Sequence, residues 1–501
     1  MKIVSSVFVS LFAAVLASAA VSLPRSTPEA QGISSTGMLE VIDALESRVT
    51  EMHSIVVVRN GYVIAEGWWA PFARNEPHQM FSLSKSFTST AVGLAVAEGK
   101  LSTDDPVTKF FPDELPAEPS ANLRAMRVRD LLTMSSGHHD ADIQAFPYND
   151  EGGATKKFLS LPVSHKPGTY WIYNSPATFM LSAIVTKVTG QSVHEYLRPR
   201  IYEPLGIEDA TWEANNQGFS IGASGMFLRT EDIAKFGQLY LQKGKWNGKQ
   251  VVPESWVAAA SARQASNGSS PTSDWEQGYG YQFWRCRHGF YRGDGAHGQF
   301  CILLEKHNTV VAITSGTADM GSVMNTLWDK LLPVLDAAKP LAEDAAAHAK
   351  LKERLAGLAL KPQAAGSVVA KAVGAKRYVF PENRARIEEI SVGSIDAAGV
   401  AQLTLKIGGA TQTLAASPGK WAKGEFASGP WKGVTATSGA WTAADTYTAR
   451  VVRYHTPFAT TLRLKFAGEE LQVEAEGNVG PANARVTKVT GRSEAAKVAS
   501  E

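Results

Sequence analysis

A chain of 501 residues carries material for two or three domains, since domains run to about 100 to 200 residues each. With 44% hydrophobic and 20% charged residues it has the make-up of a folded globular protein, which excludes a wholly disordered chain and a multi-span membrane protein. Its 50 Lys plus Arg against 48 Asp plus Glu leave a formal charge of +2, too small a bias to draw it to nucleic acid or to an anionic membrane.

Met1 and Lys2 open an apolar run through Ala20 that contains the small triplet Ala17-Ser18-Ala19. This layout predicts a signal peptide over residues 1–19 and a periplasmic or secreted protein. The run is about long enough to span a bilayer, but Ser5, Ser6 and Ser10 dilute it, so no stable membrane anchor is expected after cleavage. In an oxidising compartment the only two cysteines, Cys286 and Cys301, become a possible disulfide; in a cytosol they are buried thiols.

Two β-branched runs, 55–58 and 63–65, flank Asn60-Gly61 and predict a hairpin. A helix is expected over 82–98, where Phe87, Ala91, Leu94 and Ala95 recur at helical spacing and Gly99 stops the run. Short helical pieces fill 106–217, with a longer amphipathic stretch over 177–189 ending at Gly190. A further helix is expected over 230–242, with Glu231 and Asp232 near its positive end. Strands are expected at 279–286, 300–304 and 310–315, followed by a helix through about 337. Strands at both ends with helices between imply one sheet built from distant parts of the chain. From 376 the pattern changes: Leu403, Leu405 and Ile407, and later Leu462, Leu464 and Phe466, alternate with polar residues, as in an all-β module. The expected division is a main domain over 24–338, a helix and linker over 339–375, and the β domain over 376–494.

Three short strings offer a nucleophile. Ser82-Leu83-Ser84-Lys85 and Ser417-Pro418-Gly419-Lys420 both spell Ser-x-x-Lys, but Pro-Gly writes a turn in the second. On a helix, positions i and i+3 are neighbours, so the Lys85 amine can reach the Ser82 hydroxyl. Gly218-Phe219-Ser220-Ile221-Gly222 matches a nucleophile elbow, yet Asn215-Asn216-Gln217 precedes it in place of a strand and Gly225 follows before any helix. Ser220 is therefore read as a loop residue. Activating a serine needs a lysine held neutral or a tyrosine held as phenolate, and Tyr173, in a loop marked by Pro167-Gly168, supplies the tyrosine. Gly293, Gly295 and Gly298 surround His297 just before an apolar strand, where small residues let backbone approach a substrate. The cluster His138-His139-Asp140-Ala141-Asp142 lacks a distant third ligand of fixed spacing, so no metal and no cofactor are expected.

Taken in order, Phe81-Ser82-Leu83-Ser84-Lys85-Ser86, Leu131-Leu132-Thr133-Met134-Ser135-Ser136-Gly137, Tyr173-Asn174-Ser175 and the Gly-rich strand entry resemble the serine β-lactamase and penicillin-binding-protein superfamily. Within it the chain is most similar to the class C β-lactamase-like branch, with its carboxylesterases and 6-aminohexanoate-dimer hydrolases. The resemblance covers about residues 25 to 335. It implies an α/β (α+β) fold: an antiparallel sheet flanked by helices, with an all-α subdomain, to which this chain adds the C-terminal all-β module.

The resemblance also implies roles. Ser82 is the acylated nucleophile, Lys85 its activating partner, and Tyr173 the general base that later protonates the leaving group. The oxyanion hole comprises the N–H groups of Ser82 and Gln299, with His139, Ser175, His297 and Gly298 near the substrate. Two departures bear on that substrate. Ser175 stands where class C enzymes have Asn, and their Lys-Thr-Gly reads here as Ala296-His297-Gly298, or with His297 at the Lys position after a shift of one residue. Either register removes or weakens the cation that recognises a β-lactam carboxylate, which favours a neutral small-molecule ester or amide. A β-lactamase, D-Ala-D-Ala carboxypeptidase or D-aminopeptidase is the alternative enzyme, and a non-catalytic binding protein the alternative of another class. The oligomeric state is left open.

Overall fold

The computed structural model describes residues 22–366, 372–428, 432–480 and 486–494, so the signal-peptide segment expected at 1–19 lies outside the described residues. The Asn60-Gly61 turn forms as its sequence requires. Both residues take left-handed φ, 52° and 84°, and the strands Met52–Arg59 and Tyr62–Trp68 pair antiparallel across them. Met52–Arg59 then pairs with Thr309–Ser315, and Gln299–Leu304, Tyr291–Gly295 and Trp284–Arg285 complete a six-stranded sheet. This is the sheet expected from distant parts of the chain. The strand expected over 279–286 is only Trp284–Arg285, because Gly278 and Gln282 take φ of 109° and 65° and break the extended run.

Both faces of the sheet are buried, and the period of two in its strands divides them. Val56, Val58, Leu303 and Ala312 face Phe87 and Phe236 of the helices Ser84–Ala97 and Thr230–Leu241. Ile55, Val57, Ile302 and Ile313 face Met38, Val41 and Leu45 of the helix Ser35–Arg48, together with Leu327. The intervening chain supplies a helical subdomain that includes Ser175–Thr189, capped by Asn174 and ended by Gly190 at φ 73°. Among the described residues, no helix is long and apolar enough to cross a membrane.

The two cysteines fall on opposite faces, which corrects the disulfide considered from the sequence. Cys301 stands opposite Gly293 in the ladder, with its Sγ 3.5 Å from the Ile233 carbonyl oxygen. Cys286 belongs to the other apolar cluster, where its Sγ accepts from Arg292 Nη1 at 3.2 Å. Both thiols are buried and free, and burial pushes them up to about 11 for Cys286 and about 12 for Cys301.

A ten-stranded antiparallel sheet runs from Lys376–Val379 to Val486–Glu494. Its two terminal strands in the hydrogen-bonded order, Ala410–Ala416 and Ala422–Phe426, also approach each other, so the sheet curls into a barrel-like form. Leu403, Leu405, Leu462 and Leu464 fill it, the inward half of the alternation seen in sequence. One wall, with Ala436, Val452, Tyr454 and Ala459, packs into the apolar cluster that holds Ile55 and Leu327. Polar contacts fasten the same junction: Arg450 pairs with Glu51 at 2.9 Å, and Asn478 Nδ2 donates to the Gly316 and Pro457 carbonyls.

Candidate active site

Ser82 occupies the tight turn Phe81–Leu83, which leads into the helix Ser84–Ala97, and so stands at the positive end of that helical run. Phe81 takes a φ of 48°, a left-handed conformation that costs a bulky side chain about 1 to 3 kcal/mol and is held here by the packing around it. Ser82 is partly open to solvent, whereas Lys85 is 1% exposed. Lys85 Nζ donates to Ser82 Oγ at 3.1 Å, to Ser175 Oγ at 3.0 Å and to the Ala223 carbonyl at 2.8 Å. All three acceptors are neutral. Burial therefore draws the ammonium down to about 7, against the raising influence of Asp294.

Tyr173 enters the site from the loop before the helix Ser175–Thr189. Asn174 fixes that loop: its Oδ1 accepts from Ala177 N at 2.9 Å, and its Nδ2 donates to Ser136 Oγ at 3.1 Å. The Lys85 amine lies over the Tyr173 ring, 4.9 Å from its centroid, and the ring stacks on Trp284 at 5.3 Å. Burial raises the phenol well above its ordinary range, and its interaction with Ser82 opposes that rise only in part. The two groups that flank Ser82 are thus pushed in opposite senses, the lysine toward its neutral form and the tyrosine toward its protonated form.

Glycines bring the Gly-rich strand against the serine turn. A Cβ at Gly295 would lie 2.1 Å from the Met80 carbonyl oxygen and 3.2 Å from Leu83 N, and one at Gly293 would lie 2.2 Å from Leu83 Cδ1. Gly295 pairs with Gln299, which sets the Gln299 backbone beside the Ser82 turn. The Gln299 side chain is spent elsewhere: its Nε2 donates to the Ala296 and Ser315 carbonyls and its Oε1 accepts from Ser315 N, pinning the hairpin. Gly298, at φ 87°, leaves no room for a Cβ, which would lie 2.1 Å from Ser315 Oγ.

His297, at φ 67°, packs its ring edge-on to Phe81 with centroids 5.3 Å apart, and burial lowers it from the ordinary histidine value. Ser175 belongs to the Lys85 set through its hydroxyl. His139 is exposed, and its ring contacts are to His165 and Tyr170, not to Ser82, Lys85 or Tyr173. Its neighbour His138 is buried on Ser136 Oγ and lowered to about 4 by that burial. Ser220 Oγ accepts from His194 N at 3.2 Å, with no base beside it among the contacts described. Ser417 and Lys420 bracket a turn with Gly419 at φ 67°.

Sequence reasoning missed two parts of the site, and the first is the Ala223 carbonyl on Lys85. The elbow-like string is structural: a Cβ at Gly222 would lie 2.7 Å from Ser182 Cβ, and this close approach sets Ala223 where its carbonyl meets Lys85. The second is Phe458 of the β module, whose ring lies 6.0 Å from Phe81 and 5.7 Å from His297.

Residues 42–336 match the family model described as Beta-lactamase. The chain is 27% identical over 307 residues to a 6-aminohexanoate-dimer hydrolase of Paenarthrobacter ureafaciens, across 56% of this chain and 78% of that protein. It is 31% identical over 153 residues to a lovastatin esterase of Penicillium rubens, across 26% of this chain and 38% of the esterase. Among solved structures it resembles EstCE1, a hydrolase with promiscuous acyltransferase activity, at a TM-score of 0.50 and 16% identity, covering 60% of this chain and 98% of that one; this is a likeness of fold.

Proposed function

The chain belongs to the β-lactamase family and is a serine hydrolase, and on that premise we propose that it cleaves a small neutral ester or amide through an acyl-enzyme on Ser82. The observation that carries the reading is the buried Lys85 amine, 3.1 Å from Ser82 Oγ with only neutral acceptors around it. A lysine drawn to about 7 is partly neutral at physiological pH and can take the serine proton.

Ser82 Oγ attacks the carbonyl carbon, its proton passes to Lys85 Nζ, and the oxyanion is held by the N–H groups of Ser82 and Gln299. Tyr173, kept as a phenol, gives its proton to the leaving oxygen or nitrogen as the carbonyl re-forms, and Lys85 restores that proton. Water then attacks the acyl carbon, giving its proton to the Lys85–Tyr173 pair, and Ser82 leaves with a proton returned. Relative to the roles implied by the resemblance, this transfers the first deprotonation from Tyr173 to Lys85. The opposite pull on the two groups supports the transfer.

A neutral substrate is favoured because His297, at either register of the Lys-Thr-Gly position, is packed on aromatic rings and lowered by burial, so it offers no steady cation at pH 7. The names of the two relatives, a 6-aminohexanoate-dimer hydrolase and a lovastatin esterase, are in keeping with a small-molecule substrate of this kind. The test compares hydrolysis of p-nitrophenyl acetate, a short linear amide and a penicillin by the wild type and Ser82→Ala. Ser82-dependent turnover of the ester or amide above that of the penicillin is expected; faster turnover of the penicillin would favour the β-lactamase alternative.

We further propose export, on the signal-like residues 1–19. Fractionation of the native host with N-terminal mass measurement is expected to find the chain outside the cytoplasm and shortened, and a full-length cytoplasmic chain would refute it.

A further inference from the structure

The six-residue connection from Arg453 to Phe458 joins the β-module strands Thr446–Val452 and Ala459–Ala467 and reaches the serine turn. It is internally tied: Arg453 N donates to the Phe458 carbonyl at 3.0 Å, Thr456 N to the Arg453 carbonyl at 2.8 Å, and Phe458 N to Thr456 Oγ1 at 3.2 Å. It is also tied to the main domain. Gln79 N, three residues before Ser82, donates to the His455 carbonyl at 2.8 Å, and a Cβ at Gly316 would lie 2.5 Å from the Pro457 carbonyl oxygen. The loop is therefore fixed against the site.

Phe458 is partly exposed and completes a triangle of rings with Phe81 and His297, each also partly exposed, with centroids 5.3 to 6.0 Å apart. The Arg453 guanidinium lies over the Phe458 ring at 4.6 Å. Phe81 adjoins Ser82 in sequence, and His297 lies two residues before Gln299. The triangle is thus carried by the Ser82 turn and by the strand entry that packs against it. Tyr173 and Trp284 form a separate aromatic group on the Lys85 side. On the proposed role of Tyr173 as the acid for the leaving group, that group departs toward Tyr173, which leaves the Phe81, His297 and Phe458 rings to the acyl part.

We propose that Phe458, supplied by the C-terminal β module, determines acyl specificity by packing an apolar acyl chain against Phe81 and His297. This deepens the reading of Ser82 as an acyl-enzyme nucleophile and rests on it. Flat, polarisable rings in contact suit a hydrocarbon or aromatic acyl group.

The test measures kcat/KM for p-nitrophenyl hexanoate and p-nitrophenyl acetate in the full-length wild type, Phe458→Ala, Phe458→Leu and Phe458→Tyr, with thermal melts alongside. Removing the ring is expected to lower the hexanoate-to-acetate ratio about tenfold, chiefly through KM, the scale of losing methylene contacts in an apolar pocket. Phe458→Leu, which keeps most of the packing, lowers the ratio less, and Phe458→Tyr restores it. A wild-type ratio in folded Phe458→Ala or Phe458→Leu overturns the inference alone, as does an equal fall for both esters, which would make the loop a positioning element. Absence of Ser82-dependent turnover in the wild type overturns the reading of the site and this inference with it.

Discussion

Lys85 Nζ lies 3.1 Å from Ser82 Oγ, with one amine within reach of the hydroxyl that begins its own helical run. The i, i+3 spacing brings the two together, and the protein around them removes water from the amine while leaving the hydroxyl partly open. On the proposed mechanism, both the rate and the stability of the protein then depend on which of the groups flanking Ser82 is ionised.

If the first proton goes to Lys85, kcat/KM rises with pH through about 7 and levels off above it, because only the neutral amine accepts. A pH–rate profile on p-nitrophenyl acetate checks this. An acid limb only near pH 10, the ordinary lysine range, would contradict a Lys85 held partly neutral at pH 7.

The same group links to stability. Its folded-state value lies below the unfolded value of about 10.4, so the folded state binds fewer protons between about 7 and 10.4, and stability from this group falls as pH drops through that window. Lys85→Met carries no charge to bury. It is expected to melt above the wild type at pH 6, with the gap narrowing toward pH 9, whereas a constant difference across that range would remove the buried ammonium as its cause.

Tyr173→Phe keeps the ring that stacks on Trp284 and removes only the hydroxyl. It is expected to lower kcat by about 10² to 10⁴ with little change in melting, and the Lys85→Met, Tyr173→Phe double variant to be little worse than the poorer single one, since on the proposed mechanism both groups handle one proton. Near-native kcat in Tyr173→Phe would leave the tyrosine a packing role.

Gly237, on the helix Thr230–Leu241, marks a close approach to the sheet. A Cβ there would lie 2.5 Å from Val310 Cγ1 and 2.8 Å from Cys301 Sγ. Gly237→Ala is expected to cost about 1 to 3 kcal/mol, read from a denaturant midpoint, because neither neighbour is a free-swinging end. An unchanged midpoint would mean the helix lifts off the sheet without cost.

Much of this was legible in the residues. Asn60-Gly61 wrote its own turn, the spacing of Phe87, Ala91 and Leu94 announced the helix that carries Lys85, and the alternation of Leu403, Leu405 and Ile407 marked the inside of the barrel-like module. The failures share a cause: they depended on which side of an element a residue faces or on contacts distant in sequence. Cys286 and Cys301 are near in sequence, but strand parity and the break after Gln282 put them on opposite faces of the sheet. Gly222 looked like part of a nucleophile motif, and the use of its missing side chain emerges only beside Ser182. Phe458 lies far along the chain from Ser82, and nothing in its local text says that a β-module loop ends at Phe81 and His297.

The measurement that bears most directly on the central claim is stoichiometric labelling of the native full-length protein with a small fluorophosphonate and peptide mass mapping of the product. One adduct per chain on Ser82 is expected, with labelling abolished in Ser82→Ala and retained in Ser220→Ala, whose hydroxyl accepts from the His194 N–H. An adduct on Ser220, or stoichiometric labelling that survives Ser82→Ala, would contradict it.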